Sequence, residues 1–288
     1  PRENGRSIFD MVFPNPSGGL PLYRSQDQSA LRNASPAWRS RNGIEIVQTT
    51  TDGKVSYEID GPILLLHNLA KWSSKYPTLL ANLHKYEGTH FIYDPFVYWT
   101  GVKLIRRILL MNGYAEYTGG LPPSSSVYKN VHCSFCGVLQ RSHPPLRRKG
   151  DHIYYPATFI ALHAEIDPAQ RKNLIDIYNS VENKDHHLIK IVLGSIVTKE
   201  AIDLLRLSNI HIMGHQDNVS TVEQIIGRGI RHCSHRDMPW EAREVRVFKY
   251  TASLPRSISA EEYQYLLAEG EHVAIKRVER ALKEAAVD

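Results

Sequence analysis

The residues of this chain that are best suited to chemistry lie near its C-terminal end. Gln224, Arg228 and Arg231 form a Gln-x-x-Gly-Arg-x-x-Arg pattern, which predicts two guanidinium groups one helical turn apart. A guanidinium keeps its charge at neutral pH and presents a planar fork of donors, so the pair suits phosphate oxygens. Such groups can stabilise the charge that gathers on a γ-phosphate in a transition state. The pattern alone also fits an amphipathic helix with two surface arginines.

The segments before this pattern predict the elements that position it. Residues 188–193 form a short apolar run that is typical of a buried strand and ends near Ser195. Residues 209–213 form a second such run. A turn and a cap for the arginine helix are supplied by Asp217, Asn218, Ser220 and Thr221. The predicted order is a strand, a loop with a hydroxyl and an acid, a second strand and the helix.

The middle of the chain predicts the same alternation of elements. Residues 89–93 and 159–163 are predicted strands, and residues 101–110 have apolar positions at helical spacing. A further helix is predicted from Asp167, because Pro168 favours the first turn. Strands that alternate with helices predict an α/β fold, with a mostly parallel sheet covered by helices on both faces.

The order of these residues resembles motifs V and VI of superfamily 2 helicases and translocases. The resemblance implies the second RecA-like lobe of such an enzyme. It implies that Ser195, and Thr198 in the same loop, lie near the nucleic-acid backbone, and that Asp203 reaches the nucleotide ribose. The sequence departs from many relatives at residues 200–201, where Glu-Ala replaces Arg-Gly.

The same resemblance assigns the pattern at the C-terminal end to ATP, bound with Mg²⁺. Gln224 and Arg228 fall on nucleotide-binding positions, and Arg231 falls on the arginine finger of motif VI. Asp203, Gln224, Arg228 and Arg231 are therefore the candidate ATP-binding residues, and the two arginines are the candidate catalytic residues.

Two signatures of a complete enzyme of this kind are absent from the sequence. There is no Gly-x-x-x-x-Gly-Lys-Ser/Thr loop for phosphates, and no Asp-Glu-x-His or Asp-Glu-x-Asp pair for magnesium. The chain also begins at Pro1 without a methionine. We therefore expect a fragment of a longer protein, whose N-terminal helicase lobe is missing and which is inactive alone.

The composition of the chain indicates which classes of partner to expect. No apolar run approaches the ~20 residues of a membrane span, so no membrane partner is expected. Three cysteines in 288 residues argue for a reducing compartment. A net charge of +5 and a pI near 9.0 favour a polyanionic partner, although a solvated basic surface has the same balance.

An insertion between the predicted helix at 101–110 and the strand at 159–163 carries a candidate zinc site. Cys133 and Cys136 have the spacing of a zinc knuckle, and His143 and His152 are the nearest further ligands, with His132 as a substitute. Two reduced thiols in a plain turn are the alternative.

Two further groups of residues could contact nucleic acid. Arg147, Arg148 and Lys149 either bind phosphates or form a solvated loop. The second group consists of aromatic side chains that stack on bases, belong to the core or pack against the missing lobe: Phe91, Tyr93, Phe96, Tyr98 and Trp99.

The predicted organisation has three regions. Residues 1–61 are an irregular extension, and residues 62–256 are the RecA-like lobe with the Cys/His insertion at 115–156. Residues 257–288 form a C-terminal helix that opens with a capping box at Ser259.

Within superfamily 2 the chain resembles helicases of nucleocytoplasmic large DNA viruses more narrowly. The segment from Gln224 to His235, the Cys-x-x-Cys-Gly insertion and the closing residues 279–288 carry this resemblance. It extends to asfarvirus and mimivirus members, the small subunit of the poxvirus early transcription factor and the nucleoside triphosphatase of termination. It implies an ATP-dependent helicase or translocase of viral early transcription.

The implied partners are DNA, with RNA not excluded, and a viral RNA polymerase or a second transcription-factor subunit. The implied location is the viral factory in the host cytoplasm, and the virion. Three alternatives remain at this point: a double-strand DNA translocase, a termination ATPase that does not separate strands, and a non-catalytic zinc-knuckle docking module.

Overall fold

The structure is a computed structural model that describes residues 10–18, 22, 28–51, 54–119, 121–146, 152–199, 202–216, 218–253 and 256–286. Its strands are β1 (Glu45–Thr51), β2 (Lys54–Asp60), β3 (Thr89–Tyr93), β4 (Ala115–Glu116), β5 (Thr158–Leu162), β6 (Ile191–Gly194), β7 (Leu207–Ile212) and β8 (Arg246–Lys249). Its α-helices are α1 (Gln28–Asn33), α2 (Pro36–Arg41), α3 (Leu66–Leu69), α4 (Lys75–Lys85), α5 (Val102–Met111), α6 (Pro168–Asn179), α7 (Val219–Ile226) and α8 (Ala260–Ala285).

A six-stranded sheet with the order β4-β5-β6-β3-β7-β8 forms the framework, and every neighbouring pair is parallel. Side chains alternate between its faces, so Ile92 packs with α4 and α5 while Phe91 and Tyr93 pack with α6 and α7. Strands covered on both faces need nearly continuous apolar runs, which explains the sequence pattern. The predicted RecA-like α/β fold class is confirmed.

The side chains that begin the helices are those that the sequence indicates. The Asp167 carboxylate accepts hydrogen bonds from the first turn of α6, with Pro168 in its first position. Asn218 accepts from Thr221 N at 2.8 Å and caps α7, and Ser259 forms a capping box at α8. These caps satisfy backbone donors that a helix start leaves without partners.

The N-terminal part contains an antiparallel pair, β1 with β2, that lies against α5. Arg107 on α5 holds it through ion pairs to Glu58 at 2.7 Å and to Asp60 at 3.1 Å. The limits of the three predicted regions, 1–61, 62–256 and 257–288, stay predictions. Among the described residues, no helix has the length and apolar character that crossing a membrane requires.

A buried ion cluster ties distant parts of the chain together. Lys75 Nζ, at the start of α4, lies 2.9 Å from Asp10 Oδ1 and 2.6 Å from Glu261 Oε1 in α8. It also donates to the carbonyl of Met213 after β7, at 3.2 Å. All three charged side chains are almost completely buried, so each depends on its partners for solvation.

A chain of buried hydrogen bonds links side chains of β3 and β7 to Tyr250, the residue after β8. His90 bonds to the Tyr86 carbonyl and to His211, which bonds to the Tyr250 hydroxyl. Because a carbonyl only accepts, His90 Nε2 must donate to it, and His90 Nδ1 then accepts from His211 Nε2. His211 Nδ1 accepts from the Tyr250 hydroxyl, whose oxygen accepts from Asn82. These directions hold for two neutral imidazoles, the form that burial favours because it lowers the pKa of both rings.

We expect His90 and His211 to lower the free energy of unfolding as the pH falls below about 6.5, the unfolded-state pKa of histidine, whereas Asp10, whose pKa burial raises to about 6, contributes in the opposite direction. Burial lowers the pKa of His211 to about 3 and that of His90 well below its ordinary value. Between the folded-state and unfolded-state pKa values, each histidine binds a proton in the unfolded chain but not in the folded chain. Each therefore lowers the free energy of unfolding by about 1.4 kcal/mol per pH unit. Urea unfolding at about pH 7 and about pH 5 measures this dependence.

The variant His211→Gln should reduce the pH dependence by the share of one histidine, because a glutamine amide can donate to His90 and accept from Tyr250 without titrating. His67→Gln, at an exposed position, is the matched control and should leave the dependence unchanged. Equal pH dependence in all three proteins would contradict the proposed hydrogen-bond chain.

Candidate nucleotide face and metal centre

The two candidate catalytic arginines lie just beyond the end of α7. Gln224 is in the last turn of the helix, which ends at Ile226, and the chain then continues through a tight turn. The Arg231 side chain folds back, so that its Nε donates to the Gly227 carbonyl at 3.2 Å. Gln224 and Arg231 are exposed and Arg228 is half-buried. The exposed groups can therefore reach a ligand at this surface.

This turn is joined to the segment that carries Asp203. Leu204 N donates to the Arg228 carbonyl at 3.0 Å, and the guanidinium of Arg231 forms an ion pair with the Asp203 carboxylate. The Asp203 and Arg231 side chains are 53% and 44% exposed, so water and ligands have access to the pair. The structure thus brings together three of the four predicted ATP-binding positions, and Gln224 lies one turn earlier.

Gly229 allows this close approach. A Cβ atom added at Gly229 would lie 2.3 Å from Leu207 Cδ2 at the start of β7. Any larger residue would force either the buried Leu207 side chain or the turn that carries Arg231 to shift. Close packing against Leu207 therefore explains why a glycine stands in the Arg-Gly-Ile-Arg sequence.

A groove of about 660 Å³ lies beside Asp203, between α6 and the loop after β6. Thr198 and Ile202 line one side of it, and Arg171 and Lys172 of α6 line the other. Sequence reasoning missed these two basic residues, because it assigned α6 only by its cap and its apolar spacing. Asp176 and Asp203 line the same groove, so two acidic and two basic side chains balance in charge there.

The two hydroxyls predicted to contact nucleic acid are buried. Ser195 Oγ donates to the Leu162 carbonyl at 3.4 Å, and Thr198 Oγ1 donates to the Ser195 carbonyl at 2.6 Å. Both side chains therefore brace the loop that follows β6. Their contact with nucleic acid stays a prediction.

The four predicted metal ligands form one cluster. Donor atoms of Cys133, Cys136, His143 and His152 all lie within 4.8 Å of one another. Cys133 Sγ is 3.3 Å from His152 Nε2, which is 3.2 Å from His143 Nε2. A tetrahedral zinc ion places such donors about 3.4 to 3.6 Å apart, so the residues fit this metal. His132 instead bonds through Nδ1 to the Gly137 carbonyl at 2.7 Å.

Ser134, which lies between Cys133 and Cys136, connects this cluster to the sheet. Lys190, just before β6, donates to the Ser134 carbonyl at 2.6 Å, and Ser134 Oγ donates to the His186 carbonyl at 2.9 Å. Burial lowers the pKa of Lys190 to about 8. The insertion is therefore packed against the sheet edge where β5 and β6 begin. Arg147, Arg148 and Lys149 lie outside the described residues.

Comparison with curated proteins finds relatives in large DNA viruses. A protein of African swine fever virus named early transcription factor large subunit homolog is 28% identical over 303 aligned positions, which cover 99% of this chain and 26% of that protein. A predicted ATP-dependent RNA helicase of Acanthamoeba polyphaga mimivirus is 35% identical over 212 positions, covering 70% and 18%. A predicted helicase of Invertebrate iridescent virus 3 is 28% identical, covering 93% and 25%. No family model matches the chain.

The resemblance to helicases of large DNA viruses is thereby confirmed. Homologues of this chain are early transcription factor large subunit homologues and predicted helicases. The expected resemblance was to the small subunit of the poxvirus factor, whereas the African swine fever virus relative is named a homolog of the large subunit. The chain spans about a quarter or less of the length of these relatives.

We expect the purified chain to carry about one zinc ion, measured by elemental analysis. Cys136→Ser should lose the metal and lower the melting temperature, because one thiolate ligand is removed. Cys233→Ser is the matched control, since Cys233 is exposed and lies outside the cluster, and it should keep the metal. A metal-free protein whose melting temperature does not respond to a strong chelator would contradict the site.

Proposed function

We propose, from its kinship with viral helicases and early transcription factors, that this chain is the C-terminal lobe of an ATP-dependent nucleic-acid helicase or translocase of viral early transcription. The observation that carries the proposal is the junction of Asp203 with the arginine turn. The backbone hydrogen bond from Leu204 to Arg228 joins the two segments, and the ion pair of Arg231 with Asp203 holds an acid and a guanidinium group on one accessible surface.

Each group on this surface has a role in the proposal. Asp203 accepts hydrogen bonds from the ribose hydroxyls, and Gln224 and Arg228 bind the nucleotide. Arg231 stabilises the charge that develops on the γ-phosphate during hydrolysis. An exposed ion pair contributes at most about 1 kcal/mol to stability. Arg231 can therefore leave Asp203 and bind a phosphate at little cost in free energy.

The remaining parts of the enzyme belong to the rest of the protein. A phosphate-binding loop and the acids that hold Mg²⁺ come from an N-terminal helicase lobe, so we expect the 288-residue chain alone to show no turnover. The proposed partners are DNA or RNA, contacted near Ser195 and Thr198 and through Arg147, Arg148 and Lys149, and a viral RNA polymerase or second transcription-factor subunit. The proposed location is the cytoplasmic viral factory and the virion.

We expect Arg231→Ala to reduce ATP turnover by roughly 10³-fold or more in the longer protein that contains this chain, because an arginine finger acts mainly on the charge of the transition state. Nucleotide binding should remain largely intact. Arg231→Lys should also lose most of the turnover, since an ammonium cannot replace the planar fork. Steady-state hydrolysis and equilibrium binding of a labelled nucleotide measure the two effects separately.

Arg236→Ala is the matched control, because Arg236 is exposed on the same loop and lies outside the arginine turn. It should hydrolyse ATP at the unaltered rate. An Arg231→Ala protein that hydrolyses ATP as fast as the parent would show that Arg231 is not the finger.

A further inference from the structure

The loop that follows β3 holds most of the aromatic residues whose role the sequence leaves open. Phe91 and Tyr93 are buried in the strand, and Phe96 is half-buried. Trp99 is buried against Phe13, with ring centroids 4.9 Å apart. Tyr98 alone of the five is exposed, at 55%. Only this ring is therefore accessible to a ligand.

The loop is built to hold Tyr98 in place. Asp94 Oδ1 accepts from Phe96 N at 2.8 Å and fixes the first turn. A Cβ atom at Gly101 would lie 2.1 Å from the Phe96 carbonyl oxygen, so the loop closes against this glycine. Trp99 is held in the left-handed region at a φ of 60°, which a bulky residue adopts only when its surroundings require it. The ring of Tyr98 is thus presented by a rigid base.

Polar contacts fix the orientation of the ring. The Tyr98 hydroxyl donates to the Glu165 carboxylate. Lys103 Nζ, in the first turn of α5, lies 4.8 Å from the ring centroid and 2.7 Å from Glu165 Oε2. The lysine covers one face of the ring, so the exposed area lies on the other face. The Lys103 ammonium is paired with the Glu165 carboxylate, so the two charges beside the ring balance.

The position of the ring follows from the strand order. Tyr98 follows β3 and Glu165 follows β5, and β6 lies between these two strands. The contact between them therefore passes over the end of β6, where Ser195 is buried. Tyr98, and not the Ser195 hydroxyl, forms the surface at this point of the sheet edge.

We propose that the exposed face of Tyr98 stacks on an unpaired base of a single-stranded nucleic acid. The inference rests on the proposed function, because it assigns the nucleic-acid surface of the same lobe. An exposed ring that polar contacts orient, at the loop edge of a parallel sheet, has the features of a stacking platform that tolerates any base. Contact of this ring with another protein surface is the competing outcome.

The test compares two labelled strands with the same phosphates, an oligothymidine and an abasic strand of equal length, in fluorescence anisotropy titrations of the 288-residue chain. The chain should bind oligothymidine roughly tenfold more tightly, the range that loss of one stacked base gives. Tyr98→Ala should abolish this preference and bind both strands as the parent binds the abasic strand. Tyr98→Phe should keep the preference, since it keeps the ring.

Tyr263→Ala removes an equally exposed tyrosine from α8 and is the matched control, with an unchanged preference expected. Equal affinity of the parent chain for both strands would overturn the stacking inference whether or not the variants fold, and would leave nucleic-acid binding itself intact. A preference that survives in a folded Tyr98→Ala protein would overturn it as well. Binding of neither strand would overturn both the inference and the proposed nucleic-acid surface.

Discussion

Because all six strands of the sheet run in one direction, the loops that follow β3, β5, β6 and β7 leave it at a single edge. This constraint places Tyr98, Glu165 and Ser195 in neighbouring loops, although they are far apart in the chain. The opposite edge receives the Cys/His insertion, which is fastened through Lys190 where β6 begins. A strand of only four residues thus separates the candidate metal centre from the candidate nucleic-acid surface.

The sequence predicts the central part of this arrangement well, and the reason is physical. Strands that are buried on both faces must be apolar throughout, so β3, β5, β6 and β7 are visible as short apolar runs. Helix starts are visible because Asp167, Asn218 and Ser259 bond to nearby backbone donors. The metal cluster is visible because all four of its ligands lie within twenty residues, where spacing limits which side chains can meet.

The features that depend on strand order could not be predicted. The contact of Tyr98 with Glu165 depends on the strand order, which brings the loops after β3 and β5 to the same edge of the sheet on either side of β6, and no local pattern fixes that order. The burial of Ser195 has the same origin. The β1–β2 pair was missed for another reason: its apolar residues are interspersed with polar ones, and Arg107 holds it partly through charges, so it has no continuous apolar run. Motif spacing identified Arg231 and Asp203 without indicating that they pair with each other.

The buried cluster around Lys75 also has a consequence for how the protein folds during its synthesis on the ribosome. Its partners lie 65 residues before and 186 residues after it in the chain. A ribosome that adds about 5 to 20 residues per second needs roughly 10 to 40 seconds to travel from Lys75 to Glu261. Throughout this interval Lys75 can pair with Asp10 but not with Glu261, and the surface that α8 covers in the folded protein remains exposed. The lobe therefore completes its core only when its last helix emerges, and the nascent chain must be kept from aggregation until then.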